Sequence, residues 1–398
     1  MKLKRVSFRN FKSLYDASFE PGKVNVFIGA NGAGKTTILE AMGLLSAAMT
    51  DRVNDNSLQR KGVRLSAASM YKSRFKDVER IKANITLSLE WEDVPGEEHF
   101  KYDVHLAPPR DADEDYWKYH SEALWYNGEK KWGRSNASQN QSNSHIGFFL
   151  LEDKPEPEVE KGRKIAKYFE SYGIFQPNTL TLRGTVADPN QMAPLGLNGG
   201  RLAEALEDII HVEDGDTMMG SLYMEDVLEL IDWAADISIN VPTKTRINPS
   251  VPMTRQIIEF TDNFLKDTAK FTGYDASEGA LYVLFMLCLA MHPKGPAVFA
   301  VDSFDHALNP RLAKKLVQVF CQKILENDKY VFLTTHNPLV LDGLDLENDD
   351  IRLFAVDRDK YGHAEIRRIT VSQELMKEGQ SLSRLWINGR LGGVPELI

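Results

Sequence analysis

Residues 24–37, VNVFIGANGAGKTT, restrict the fold of this chain more than any other stretch, because a short apolar run breaks there into a glycine-rich loop and resumes as helix-forming sequence. Gly29, Gly34, Lys35 and Thr36 fill the pattern G-x-x-x-x-G-K-T, and a strand before with a helix after is the context that pattern needs. The chemistry accounts for the spacing. Gly29, Gly32 and Gly34 let the backbone turn its N–H groups inward around a triphosphate, where side chains would block the approach. Ala30, Asn31, Ala33 and Thr37 complete the loop. Lys35 offers a point charge to the β- and γ-phosphates, the Thr36 hydroxyl can bind Mg²⁺, and the first turn of the following helix adds its dipole. A chance glycine turn is the alternative, and the flanking periodicity opposes it.

At 398 residues the chain exceeds the usual size of a single core, so one large nucleotide-binding domain with an insertion, or two lobes, is expected. A hydrophobic fraction of 42% supports a packed globule, and the formal charge of −9 argues against general coating of nucleic acid while leaving room for a local basic face. Cys288 and Cys321 have no metal-type spacing and point to a reducing compartment. No run of about 18 apolar residues occurs, and the opening MKLKRVSFRN lacks an apolar signal core, so a soluble cytoplasmic protein with no membrane partner is expected.

Along the chain, residues 1–28 read as an antiparallel meander with strands at 3–8, 17–19 and 24–28, and residues 38–49 continue from the loop as an apolar helix. Residues 52–82 hold nine Lys or Arg against three acids and read as a solvated insertion, with nucleic-acid or partner binding as the alternative. Alternation at Ile85, Leu87, Leu89 and Trp91, and again over 100–106, predicts a second antiparallel sheet. Residues 111–145 are polar and turn-rich and read as an exposed loop. The acidic, proline-punctuated stretch 152–160 reads as a boundary before a helix at 163–172. Residues 199–271 read as largely helical at 202–210, 224–231 and 256–271, with a three-proline loop at 241–253.

Three further segments carry chemistry. In 276–281, ASEGAL, Ser277 is a good N-cap whose helix end is an anion site. In 298–302, VFAVD, an apolar strand delivers Asp302, and a buried acid beside the loop is what Mg²⁺ needs as a partner to Thr36. In 330–338, YVFLTTHNP, a strand ends at His336, whose neutral ring can donate one hydrogen bond while accepting another.

The opening VSFRNFKSL, together with the glycine loop, resembles the start of ABC-type ATPases of the SMC, RecF and OLD kind, and the later segments follow in the order such ATPases require. The resemblance covers residues 1–50 and about 270–370, and its motifs carry the site residues over one by one. It implies ATP and Mg²⁺ as ligands. It makes Ser277, Glu278 and Gly279 a signature loop that reaches the γ-phosphate bound by the opposite subunit, and His336 a switch histidine. It makes HALNP at 306–310 the D-loop segment, and Gln176 of IFQPN the glutamine that links nucleotide to insertion, with Gln191 as the alternative.

The chain departs from the pattern after Asp302. Relatives place Glu there to polarise the attacking water, whereas this chain has Ser303, a hydroxyl that holds its proton without an activating neighbour. Asp305, through a water, is the substitute, and slow hydrolysis or none is expected. LNGGRLAEAL at 197–206 and LSRLWINGRLGGVPELI at 382–398 are similar to stand-alone ATPases of bacterial phage-defence operons, such as the OLD-like, PARIS and AbiL systems.

The implied fold is α/β, an ABC-type P-loop ATPase domain at 1–50 and 271–398 with an antiparallel β subdomain at 51–150 and an inserted, mainly helical lobe at 151–270. The implied partners are a second copy or a ring of dimers, a separately encoded nuclease or Toprim-like effector, and a phage-encoded trigger. The competing readings are a RecF-type DNA-repair ATPase using the basic segment, and an importer subunit, which the length and the irregular insertion disfavour.

Overall fold

The computed structural model describes residues 1–80, 82, 84–109, 116–135, 145–150, 156–242, 255–266, 270–370 and 381–393. Its first part comprises β1 (Lys2–Phe11), β2 (Leu14–Phe19), β3 (Val24–Ile28), α1 (Lys35–Thr50), α2 (Asp55–Arg60), β4 (Ile85–Glu92), β5 (His99–Ala107), β6 (Lys118–Tyr126) and β7 (Glu129–Ser135). The middle comprises α3 (Pro157–Glu170), β8 (Ile174–Phe175), α4 (Thr179–Leu182), α5 (Leu202–Ile209), β9 (Ile210–Glu213), β10 (Asp216–Met219), β11 (Leu222–Tyr223), α6 (Met224–Leu228), β12 (Ala234–Asn240), β13 (Ile257–Asp262) and β14 (Lys270–Thr272). Then follow α7 (Glu278–Met291), β15 (Val298–Val301), α8 (Pro310–Glu326), β16 (Tyr330–Thr334), α9 (Pro338–Leu341), β17 (Ile351–Arg358), β18 (Ala364–Ile369) and α10 (Leu382–Ile387).

Two six-stranded sheets frame the molecule, one antiparallel in the order β2-β1-β4-β5-β6-β7 and one mostly parallel in the order β18-β17-β3-β16-β15-β8. Period-two alternation along the central strands sends side chains into two cores. Val24, Val26, Ile28, Val331 and Leu333 join α7 and α8 in one. Phe27, Phe332 and Phe354 face α1 and the antiparallel sheet in the other. Helix α1 is therefore buried along most of its length, which fixes the loop that precedes it. Cys288 and Cys321 are buried free thiols, and burial pushes Cys321 up to about 12, so neither is a ready nucleophile.

Four local expectations are corrected. Only β1 and β2 of the expected meander pair with each other, because β3 crosses to the central sheet between β16 and β17. The polar stretch 111–145 holds β6 and β7, joined at Asn127 and Gly128, both at positive φ, an Asn-Gly hairpin that polarity alone conceals. The middle mixes helix and strand: α3 to α6 are present, but 257–262 is β13, pairing with β12 and β14, and β9 to β11 form a second three-stranded sheet. Its apolar spacing fits helix and strand alike, and β-branched Ile257, Ile258 and Thr261 decide for strand.

The basic stretch 52–82 is packed rather than only solvated, since the Lys61 ammonium donates to the Glu170 carbonyl and Tyr71 stacks on Phe11. Residues 111–115, 136–144, 152–155 and 243–253 of the expected loops lie outside the described residues.

The strand leading into the glycine loop contains Asn25, fully buried. Its Oδ1 accepts the Gly22 N–H at 2.9 Å, and its Nδ2 donates to the Gly22 carbonyl at 2.9 Å and to Val331 O at 3.2 Å. Replacing it with Leu strands the Gly22 N–H in the core, so Asn25→Leu is expected to cost about 1–3 kcal/mol in urea denaturation. An unchanged midpoint would contradict this.

Candidate functional site

The carboxyl ends of β3, β15 and β16 open on one crevice, the position where parallel α/β sheets take ligands. At its centre the chain turns from β3 into α1 through Gly29, Gly32 and Gly34. A Cβ on Gly29 would sit 2.3 Å from Val356 O, and Gly32 and Gly34 have φ of 77° and 122°, so the loop needs glycine for closeness at one point and for handedness at the others. Ala33 is buried, while Asn31 and Gly32 face solvent. Thr37, on the first turn of α1, is buried.

Lys35 is 6% exposed, and its ammonium folds back onto Gly29 O at 2.7 Å and Ala30 O at 3.1 Å. Among the described residues it forms no ion pair. Burial lowers its pKa, and the fields of Asp302 and Asp305 oppose the shift. A buried cation held only by neutral carbonyls, at the start of a long helix, fits a phosphate group.

Asp302, at the end of β15, gathers the rest. Its carboxylate accepts the Thr36 hydroxyl at 3.0 and 3.2 Å, the Thr334 hydroxyl at 2.5 Å and the Gln176 amide at 3.2 Å. It is 8% exposed and has no ion-pair partner among the described residues. The Asp302 carboxylate and the Thr36 hydroxyl are oxygen ligands, which fit a hard divalent cation such as Mg²⁺. Gln176 gets there because β8 pairs with β15 at the edge of the sheet, Val301 opposite Phe175. Gln191 lies on the exposed loop between α4 and α5.

Ser303 occupies the left-handed region at φ 63°, a strained conformation for a residue with a side chain. Its N–H donates to the Thr334 hydroxyl at 2.8 Å, and its carbonyl accepts from the Tyr282 hydroxyl at 3.2 Å. Asp305 Oδ1 accepts the Thr335 hydroxyl at 2.7 Å and the His336 N–H at 3.1 Å, which leaves Oδ2 without a partner among the described residues. The His336 ring is exposed. Desolvation, then the Lys35 charge, lowers its pKa, while Asp305 and Asp302 oppose the shift. Its neutral form therefore dominates near pH 7.

The signature segment stands apart. Ser277 is exposed and its hydroxyl accepts the Ala280 N–H at 3.3 Å, capping α7. Glu278 is engaged within its own chain: Thr179 donates to its carboxylate, and His306 Nε2 is 3.6 Å away. A Cβ on Gly279 would meet Ala307 O at 3.3 Å. Lys35, Thr36, Asp302, Gln176, Asp305 and His336 thus share one crevice, while of the 277–279 segment only Ser277 is exposed and Glu278 and Gly279 are partly buried.

Thr334 and Thr335 were not singled out from sequence, yet both bond the acids of this crevice. Their signal was the hydroxyl pair at the end of an apolar strand. Lys12, Glu40 and Arg64 form a second ion cluster nearby, invisible in sequence because 52 residues separate its outer members.

Comparisons with known proteins bear on the family and the fold. Residues 24–342 match the family described as "AAA domain, putative AbiEii toxin, Type IV TA system". A DNA replication and repair protein RecF from Renibacterium salmoninarum is 46% identical over 58 residues, 14% of each chain, so the chain spans about a seventh of the length of that curated relative. A solved structure described as an Smc head domain with an extended coiled coil, bound to the C-terminal domain of ScpA derived from Pyrococcus furiosus, aligns over 95% of this chain and 98% of its own. Its TM-score is 0.51 at 11% identity. A second, the SmcHead bound to the C-winged helix domain of ScpA, covers 94% and 100% with a TM-score of 0.50 at 11% identity. At that identity the likeness establishes the fold. With its family model spanning most of the sequence, the chain belongs to the AbiEii-like AAA-domain family of P-loop ATPases, and it has the ABC-type fold of SMC heads.

Proposed function

We propose that this chain is an ATP-gated switch that closes as a homodimer or a higher ring and holds a separately encoded effector, a nuclease or Toprim-like protein, in bacterial antiviral defence. The observation that carries the reading is the node at Asp302, where the loop, the strand ends and Gln176 meet on one buried carboxylate. In this reading Lys35 binds the β- and γ-phosphates, with the backbone N–H groups of residues 29–37 around them. Thr36 and Asp302 would hold Mg²⁺, which when bound neutralises phosphate charge. His336 donates to the γ-phosphate as a neutral ring. Asp305, oriented by Thr335 and the His336 N–H, takes the proton of the attacking water through its open oxygen.

Among the described residues the Ser303 hydroxyl has no hydrogen-bonded base, so in this reading turnover is slow, and slow turnover suits a switch. The Ser277–Gly279 segment, with Ser277 exposed, completes the site of a second copy. ATP at about 100 times its Kd stabilises a closed state that alone binds it by about 2.7 kcal/mol. The family description, which names an AbiEii toxin and a Type IV TA system, favours a role in defence. In this reading a phage-encoded trigger shifts the assembly.

A RecF-like ATPase that binds duplex DNA is the second reading, favoured by the 58-residue match to RecF. Steeply salt-dependent duplex binding would select it over the scaffold reading.

Phosphate-release kinetics test the assignments. Lys35→Ala abolishes detectable turnover, and Asp305→Ala lowers kcat by about 10²-fold or more with KM little changed. Parental turnover in Asp305→Ala would remove it as the base.

The pH profile tests His336. With its pKa below the ordinary 6.5, activity holds through neutrality and falls only below that value as the ring protonates. Folding stability declines in the same direction, because the unfolded chain takes up the proton first. His336→Asn flattens the stability profile there, and an activity midpoint above 6.5 would contradict the assignment.

A further inference from the structure

Gln176 reaches Asp302 from an exposed position just past β8, a strand of two residues whose pairing with β15 ends at Phe175 opposite Val301. Its side chain bonds the acid through one amide contact of 3.2 Å. Holding a glutamine costs rotamer freedom that a single hydrogen bond barely offsets, so the backbone beneath it has to be fixed first.

That fixing comes from the loop between α4 and α5. Leu197 O accepts the Gln176 N–H at 2.9 Å, Asn198 O accepts the Asn178 N–H at 3.1 Å, and Asn198 Nδ2 donates to Gln176 O at 2.9 Å. The loop in turn closes on Asp188, which is 5% exposed and has no ion pair among the described residues. Its Oδ1 accepts the Asn190 N–H at 2.9 Å, and its Oδ2 accepts the Asn198 N–H at 2.9 Å and the Gly200 N–H at 3.2 Å. Two glycines make room for it. A Cβ on Gly196 would stand 2.3 Å from Oδ2, and one on Gly200 would stand 2.5 Å from the Asp188 Cβ. Asn190 Nδ2 donates to the Gln59 and Arg60 carbonyls at 3.1 and 2.9 Å, which ties the loop to the end of α2.

Both Asp188 oxygens face N–H donors, and a buried carboxylate is stable only when so surrounded. An amide of the same shape has one acceptor arm, so its own N–H groups would meet donors on the other. The charge is therefore what keeps residues 197 and 198 against residues 176–178.

We propose that Asp188 is a positioning residue that touches no ligand and, through Leu197 and Asn198, holds Gln176 on the Asp302 carboxylate. The inference rests on the nucleotide-binding reading above, with Thr36 and Asp302 as the Mg²⁺ ligands. Hydrogen-bond partners of a metal-binding carboxylate fix its direction, and losing one weakens metal affinity by about 10–100-fold. Lys35 and the backbone N–H groups of the glycine loop hold phosphate without Gln176, so metal-free nucleotide is indifferent to Asp188.

The test is calorimetric titration of the full chain with ATP, once with Mg²⁺ and once with EDTA. Asp188→Asn weakens Mg-ATP by about tenfold and leaves metal-free ATP within about twofold. Gln176→Ala does the same. The double variant loses less than about twofold beyond either, because both changes remove one contact.

Parental Mg-ATP affinity in a folded Asp188→Asn variant overturns the inference, as do an equal loss with and without metal and losses that multiply in the double variant. If Asp188→Asn does not fold, Asn198→Ala serves, since it removes the side-chain bond to Gln176 O and leaves the N–H donors to Asp188 in place. Parental Mg-ATP affinity there overturns the role. A parent chain that binds ATP no better with Mg²⁺ also overturns it, whereas one that binds no ATP in either buffer defeats the nucleotide reading itself, which separates the two failures.

Discussion

Hydrogen bonds onto one buried carboxylate, Asp302, hold three distant segments of the chain together. They join the glycine loop through Thr36, β16 through Thr334 and the end of β8 through Gln176. A buried carboxylate without a paired cation is stable only when such donors surround it. The same arrangement leaves a concentrated negative charge beside Lys35, the setting for a divalent cation and a polyphosphate. In the proposed reading, function and local folding therefore draw on the same residues.

The wider architecture holds that node rigid. Two cores clamp the central sheet from opposite faces, and α1 is buried between the sheets, so the loop before it has little freedom. The C-terminal segment touches this framework at two points. Ser383 bonds Asp342 just beyond α9, and the turn after α10 brings Gly393 against Gly29, where a Cβ would lie 3.1 Å from the Gly29 Cα. The strand that feeds the glycine loop and the helix that follows His336 are thus tied to one short stretch of chain.

Much of this was legible in sequence where chemistry demands particular residue types at fixed spacing. The glycines, Lys35 and Thr36 could be read because backbone geometry and phosphate charge leave few alternatives. Asp302 and His336 could be read because each ends an apolar strand. Gln176 was separable from Gln191 only through the pairing of β8 with β15, a contact across more than 120 residues that no local pattern encodes. The middle of the chain misled because the spacing over 256–271 satisfies helix and strand together, and tertiary pairing with β12 decided it. The Glu40 cluster escaped for a similar reason, since its three members come from a hairpin turn, a helix and a loop.

The central claim is that two copies meet across shared nucleotide, each offering its Ser277 end of α7 to the other's glycine loop. Both native cysteines are buried, so disulfide trapping between introduced cysteines reports on this contact directly. Mixing a Ser277→Cys chain with an Asn31→Cys chain, each also carrying Asp305→Ala to slow turnover, should give an intermolecular cross-link that appears with Mg-ATP and not with Mg-ADP. ATP binding with no such cross-link, under conditions where both thiols react freely with a small-molecule reagent, would contradict it.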